Sequence, residues 1–243
     1  MSIENKAGPL SAYDLNKLLK NAIFCPDLDS RGDIIFFDGF EDGLGNWKIP
    51  PIGGTVALSA DVKQSGSFSA KLTTDAGYPY AAYLDTCLFL PQSSKFGIEF
   101  GFTLNYFSTL GGGTKTGNTR RVRLQTNAYD GTTRYYSMVD CDFLYQKLQY
   151  MDSDGNYKDI ATDLKLSCDL HLFHKMKVVF DRGNGKYVRC LLDNVEYDIS
   201  TAKLRTSAST LQAELDISII HYATDANLRV NYLDNIVVTQ NEP

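Results

Sequence analysis

From Ile34 onward the chain alternates apolar and polar residues with a period of two, and Gly, Asn, Asp and Pro interrupt the runs. Two is the repeat of a strand, because successive side chains leave opposite faces of a pleated backbone, whereas a helical face recurs every 3.6 residues. The pattern predicts strands over 34–37, 55–60, 67–74, 81–90, 96–107, 120–129, 132–141, 144–151, 156–161, 172–181, 186–192, 195–199, 211–222 and 228–239. So many short strands separated by turn residues predict an all-β fold of two packed antiparallel sheets.

One segment breaks the pattern. In Ser11–Ala22 the residues Leu15, Leu18, Leu19 and Ala22 recur at helical spacing, Ser11 with Asp14 has the form of a capping box, and Pro26 ends the run. The chain therefore divides into an N-terminal helical arm, 1–30, and a sandwich, 31–243. The arm either packs on the sandwich edge or docks to other protein subunits. A chain of 243 residues, 43% hydrophobic, can build one sandwich core without metal or disulfide staples.

The net charge of −5 comes without long runs of either sign, so no nucleic-acid partner is expected. No stretch has the length and apolarity of a membrane span, and Glu4, Lys6, Asp14, Lys17 and Lys20 interrupt any export signal. The expectation is a protein made in the cytoplasm, or an extracellular one if a leader has been removed. The five cysteines, 25, 87, 141, 168 and 190, have no zinc spacing and read as small buried hydrophobes.

Alternation assigns faces. Phe96, Ile98, Phe100, Phe102, Leu104 and Tyr106 form a core row, with Glu99, Thr103 and Asn105 opposite. Val122, Leu124 and Ala128 lie opposite Arg121, Arg123, Gln125, Asn127 and Tyr129, and Arg134, Tyr136 and Asp140 share a face on the next strand. Leu211, Ala213, Leu215, Ile217 and Ile219 lie opposite Gln212, Glu214, Asp216 and Ser218. The polar rows carry planar hydrogen-bonding groups and phenols, which suit a sugar's ring of hydroxyls and C–H patches. The candidate ligand-binding residues are Arg123, Gln125, Asn127, Tyr129, Tyr136, Glu214 and Asp216, with Glu99 and Asn105 joining across the sheet; a plain solvated face is the alternative.

Most catalytic patterns are missing. His171 and His174 fall on opposite faces of a strand, no Gly-x-Ser-x-Gly elbow occurs, and Gly111–Thr116 lacks the glycine before lysine of a phosphate loop. Asp152–Asn156 reads as a turn rather than a calcium loop, and Arg31-Gly32-Asp33 as a turn into the first strand.

Three segments carry a resemblance: Asp38-Gly-Phe-Glu-Asp-Gly43 with Trp47, Ser65-Gly-Ser-Phe-Ser-Ala-Lys-Leu72, and Tyr232-Leu-Asp-Asn-Ile-Val-Val238. Together they resemble the jelly-roll carbohydrate-binding modules over about residues 34–240. His174–Asp181, the Arg-Gly-Asn-Gly turn and Tyr187–Tyr197 are similar to the concanavalin A-like lectin and glucanase superfamily. Both imply a two-sheet antiparallel jelly-roll sandwich, and they differ in strand topology.

The first resemblance implies a structural Ca²⁺ held by Glu41, the Ser65–Lys71 segment and Asp234; solvated turn residues are the alternative. Glucanases of the second group use Glu-x-Asp-x-x-Glu, and here Glu214-Leu-Asp216-Ile-Ser is followed by Ile219, which leaves no acid/base. The expectation is a non-catalytic, lectin-like binding or structural protein. It is displayed on a larger assembly such as a phage particle and binds glycan, or alternatively is a stand-alone or secreted carbohydrate-binding module; a glycoside hydrolase is the third reading, disfavoured by the broken glutamate motif.

Overall fold

A computed structural model describes residues 28–29, 31–51, 53–77, 80–89, 93–104, 119–167, 169–223 and 228–243. The arm helix over 11–22, Asn105, Tyr106, Gly111–Thr116, Cys25 and Cys168 lie outside these residues. The described residues form strands and no helix, and none of them could cross a membrane as a helix.

One sheet holds β1 (Asp33–Asp38), β2 (Thr55–Ser59), β3 (Ser69–Thr73), β5 (Lys95–Phe102), β10 (His174–Asp181), β11 (Lys186–Leu192), β12 (Val195–Asp198) and β15 (Val230–Gln240). Its order is β12-β11-β10-β5-β15-β3-β2, with β1 also on β15. The second sheet holds β4 (Ala81–Phe89), β6 (Thr119–Tyr129), β7 (Thr133–Asp142), β8 (Lys147–Met151), β9 (Tyr157–Ala161), β13 (Arg205–Ala208) and β14 (Glu214–Ala223), in the order β4-β14-β6-β7-β8-β9 with β13 on β7. Every ladder is antiparallel, which makes the two-sheet sandwich that the alternation predicts, in the jelly-roll form that the resemblances imply.

The apolar rows meet between the sheets. Phe96, Ile98, Phe100 and Phe102 face Leu124, Leu215, Ile217 and Ile219 in one continuous core, all of them fully or almost fully buried. Tyr187 crosses that core, and its hydroxyl donates to the Met151 carbonyl at 3.0 Å while accepting the Met138 N–H at 2.9 Å. Trp47 is buried and edge-on to Phe36, and its indole N–H donates to Asp38 at 2.8 Å. Cys141 and Cys190 are buried as expected, but Cys87 is exposed.

The predicted core row of the strand over 211–222 begins too early. Leu211 is exposed and Ala213 too, because β14 starts only at Glu214, where pairing with Phe89 of β4 begins. Glu99 also differs from its predicted place. It lies in β5 of the other sheet and cannot join Glu214 and Asp216; it is buried beneath the segment at Asp29, whose backbone N–H it accepts at 3.2 Å.

β15 serves as a seam. Val230–Leu233 pair with β3 and Ile236–Gln240 with β1, and the change of partner falls at Asp234 and Asn235, where Asn235 takes φ 52°. The unpaired backbone at this step is filled by side chains. Asp234 Oδ2 accepts the N–H groups of Gln64 at 2.8 Å and Ser65 at 3.1 Å, so the acid in the last strand anchors the loop before β3.

Candidate functional site

The outward face of the seven-stranded sheet gathers the polar rows. Register sets Arg123 of β6 opposite Asp140 of β7 and Ile220 of β14, and Asn127 between Tyr136 and Asp216. The strands hold these side chains at fixed spacing, which a loop would not.

At the centre is a charge hub. Arg123 meets Asp140 in two-pronged fashion, Nε to Oδ1 at 2.6 Å and Nη2 to Oδ2 at 2.8 Å, and Arg121 Nη1 joins at 3.2 Å. Tyr222 lies under both guanidiniums, with ring centroid distances of 4.3 Å to Arg121 and 5.1 Å to Arg123, and Tyr157 of β9 accepts from Arg123 Nη2. Burial works against the Arg123 charge, and Asp140 more than offsets it. All three nitrogens of Arg123 are engaged within the protein, so it builds the floor of the face rather than its ligand surface.

Beside the hub, where β7 exchanges β8 for β13, lies a cleft of about 370 Å³ lined by Gln125, Arg134, Tyr136, Arg205, Thr206 and Ser207. Tyr136 donates its hydroxyl to Gln125 Oε1 at 3.1 Å, which leaves the Gln125 amide N–H₂ as the donor it presents. Arg134 Nε donates to Asn127 Oδ1 at 2.8 Å and its guanidinium stacks 5.3 Å from the Tyr136 ring centroid. Gln125 and Tyr136 thus line one cleft, which Asn127 reaches only as the acceptor that holds Arg134.

Glu214 and Asp216 lie elsewhere on the face, toward β4. They and Cys87 bring a thiol and two carboxylates within 4.8 Å of one another, close enough for one metal ion to span. A thiol with two carboxylates is not the all-oxygen donor set of a calcium site. Burial, with Asp216 and Glu214 beside it, pushes the Cys87 thiol up to about 12, so it stands protonated at neutral pH. Tyr129 is buried beside Asp216, and burial raises its pKa.

The Glu-x-Asp-x-x-Glu reading fails for a geometric reason as well as a chemical one. β14 keeps regular register with both neighbours through Ile219, so position 219 faces the core while Glu214 faces out. A glutamate there would be buried among Leu84 and Leu124, not across a sugar from Glu214.

At the seam, Glu41 and Asp234 approach the same loop. Glu41 Oε1 accepts the N–H groups of Ser67 at 2.7 Å and Phe68 at 3.1 Å, and these bonds lower its pKa. Asp234 is fully buried, and burial, with Glu41 adding its charge, raises its carboxyl to about 6. Gly66, at φ 62°, keeps the approach open, since a Cβ there would overlap Glu41 Oε1. The oxygens here are engaged within the protein: Asp234 and Glu41 accept N–H groups of the loop, and the Ser65 hydroxyl donates to Asn235 Oδ1 at 2.9 Å.

Several expected turns are as read. Asp152 accepts from Asp154 and Asn156 in a turn, and Arg31 is tied to Asp29 and Glu196 rather than displayed. His174 is buried against Asp193 and Ser167, while His171 is exposed. Alternation did not find Arg205, Thr206 and Ser207: all four residues of β13 are exposed, so that strand has no apolar face to show. Cys87 shares its parity with Tyr83 and Asp85, and that was the available sign that it faces outward.

No protein-family model matches the sequence, and no curated protein matches it. Solved structures do share the fold. An endo-beta-1,4-glucuronan lyase from the fungus Trichoderma reesei superposes with TM-score 0.53 at 13% identity, over 86% of this chain and 96% of the lyase. The cellulose induced protein Cip1 gives TM-score 0.51 at 16% identity, over 84% of this chain and 96% of its own. A sialidase gives 0.52 at 13% identity over 87% of this chain, which spans only 19% of that enzyme. The class these likenesses define is the jelly-roll sandwich, and at such identities they define the fold alone.

Proposed function

We propose that this protein is a non-catalytic carbohydrate-binding module that holds a polysaccharide on the outward face of its seven-stranded sheet. The observation that carries the reading is the cleft at Gln125, Arg134 and Tyr136, where an amide, a guanidinium and a phenol converge on a rigid floor. A sugar is recognised by such planar donors combined with an aromatic flank. The names of similar sandwiches, a glucuronan lyase and a sialidase, support sugar recognition as a use of this scaffold. The reading is of a module; display on a phage particle has no counterpart among the described residues.

Position 219, where the Glu-x-Asp-x-x-Glu motif carries its acid/base, holds a core-facing isoleucine, which supports binding without cleavage. Affinity electrophoresis in polysaccharide gels, run with a reducing-end assay, tests this. The expected result is retarded migration without chain shortening, with Gln125→Ala weakening retention about tenfold. Chain cleavage that Glu214→Gln abolishes would return the protein to the glycosidases, and free migration in every polysaccharide would remove the reading altogether.

The same reading includes a structural Ca²⁺ at Glu41 and Asp234, where it would join the first and last strands to the loop before β3. Calcium in excess is expected to raise the melting temperature by roughly 5–10 °C over chelator-treated protein, from about 2–3 kcal/mol of linkage in a domain of this size. Glu41→Gln with Asp234→Asn should remove that response. Identical melting curves with calcium and with chelator would show that the two acids serve only to anchor the loop.

A further inference from the structure

We propose that the cleft between β7 and β13 is a subsite for an anionic sugar residue, one bearing a carboxylate or a sulfate ester. The proposal rests on the carbohydrate-binding reading and names the ligand class of that site. On this face the arginines fall into two groups. Arg121 and Arg123 share buried Asp140, so their charge is largely met within the protein. Arg134 and Arg205 meet no carboxylate within ion-pairing distance among the described residues, and no carboxylate lines the cleft they share.

The two guanidiniums are placed differently. Arg134 is fixed by Asn127 and by stacking on Tyr136, with its terminal nitrogens left over. Arg205 stands directly opposite Tyr136 in the β7–β13 ladder, and Ser207 opposite Arg134, so both strands turn donors to the same opening. The Arg205 guanidinium lies near Gly155, at the turn where Asp152 is already occupied by backbone N–H groups and Lys158. Gln125 adds an amide donor, its oxygen being taken by Tyr136.

A cleft rich in donors and lacking carboxylates asks for a ligand that only accepts, and an oxyanion with planar oxygens matches a guanidinium two-pronged. The opposite edge of the face has the contrary sign. Asp85, Cys87, Glu214 and Asp216 lie on β4 and β14, about 10 Å or more from β7 at the usual strand spacing. The face is therefore polarised, and an acidic chain is steered to the β13 side. Since the whole protein carries −5, such binding cannot arise from general attraction and must be local.

The test compares full-length protein on three polymers: polygalacturonate, which offers carboxylates; carrageenan, which offers sulfates; and neutral xylan. At least one acidic polymer is expected to bind about tenfold or more tighter than xylan, and R205Q to reduce that acidic binding about tenfold, so that the ratio of acidic to neutral binding falls. R205Q is the decisive variant, because Arg205 is exposed and its side chain makes no hydrogen bond among the described residues whose loss could disturb folding. The stronger of the two acidic polymers identifies the anion. Equal binding of neutral and acidic polymers overturns the anionic subsite and leaves the module reading standing, as does acidic binding untouched by R205Q. No retention on any polymer overturns both.

Discussion

Substituting Lys177 by alanine is expected to lower the unfolding free energy by roughly 3–5 kcal/mol, the usual cost of removing one partner from a buried ion network. Lys177 is 2% exposed, and its ammonium lies 2.8 Å from Glu242 and 3.1 Å from Asp29. Glu242 is buried as well and also pairs with Arg189, whose guanidinium reaches the Pro243 carbonyl at 2.8 Å. The network thus fastens both ends of the sandwich, the Asp29 segment and the C-terminal residues, onto the outer face of β5 and β10. Gly97 permits this, since a Cβ there would run into Glu242, Thr239 and Lys177.

Removing Lys177 leaves buried Glu242 with Arg189 alone and Asp29 with Arg31 alone, beside Glu99, whose own pKa burial has already raised to about 7. The double substitution Lys177→Ala with Glu242→Gln should lose less than the sum of the single ones, because the charge left under-compensated goes with its partner. Urea titration of the four proteins measures both effects. A loss below about 1 kcal/mol for Lys177→Ala would mean that solvent enters the network and screens it.

Alternation made faces legible, and faces were correct wherever one side of a strand is core. The rows at Phe96 to Phe102, Val122 to Ala128 and Leu215 to Ile219 needed only period two. Period two does not say which sheet a strand joins, which is why Glu99 was grouped with Glu214: pairing of β5 with β15 and β10 depends on residues more than seventy positions away in sequence. Nor does it see cover laid over an outer face. Lys177, between buried Met176 and Val178, reads as a solvated lysine until the terminal segments close on it.

The site was legible in the same proportion. Gln125 and Tyr136 share a cleft because adjacent strands carry them at matched parity, and Asn127 joins only through Arg134. Arg205 joins them through a strand with no buried side, to which a hydrophobic pattern is blind. Arg123 announced itself as a polar residue on the correct face, but only the register reveals Asp140 beneath it and turns a ligand candidate into a foundation. The Phe40-Glu41…Asp234 resemblance located the seam well, because Asp234 falls where β15 changes partners and the backbone N–H groups of the loop need an acceptor.

His221→Leu is expected to make the protein progressively more stable than its parent as pH falls, by roughly 4 kcal/mol in relative terms near pH 3. The imidazole of β14 points into the core, 1% exposed, and neither ring nitrogen has a well-formed hydrogen bond. Burial depresses its pKa from 6.5 to about 3, and the backbone of Leu72 offsets this only in small part. The folded protein therefore keeps His221 neutral down to about pH 3, while the unfolded chain takes up a proton near pH 6.5. Below pH 6.5 the unfolded state binds the extra proton, so stability is lost as pH falls through this window and leucine removes the loss.

Glu99 and Asp234 act in the opposite sense. Their folded pKa values, about 7 and about 6, lie above the ordinary carboxyl values of 4.5 and 3.8, so their contributions are lost as pH rises. The slopes overlap in the wild-type curve, and only the difference between the two proteins isolates the histidine. Leucine also removes two buried nitrogens that make no well-formed hydrogen bond, so the variant should be no less stable at pH 7 than its parent by more than about 1 kcal/mol. Denaturant midpoints measured for both proteins across this range give the difference directly, and two parallel curves would show that the buried ring finds a proton acceptor in the folded state.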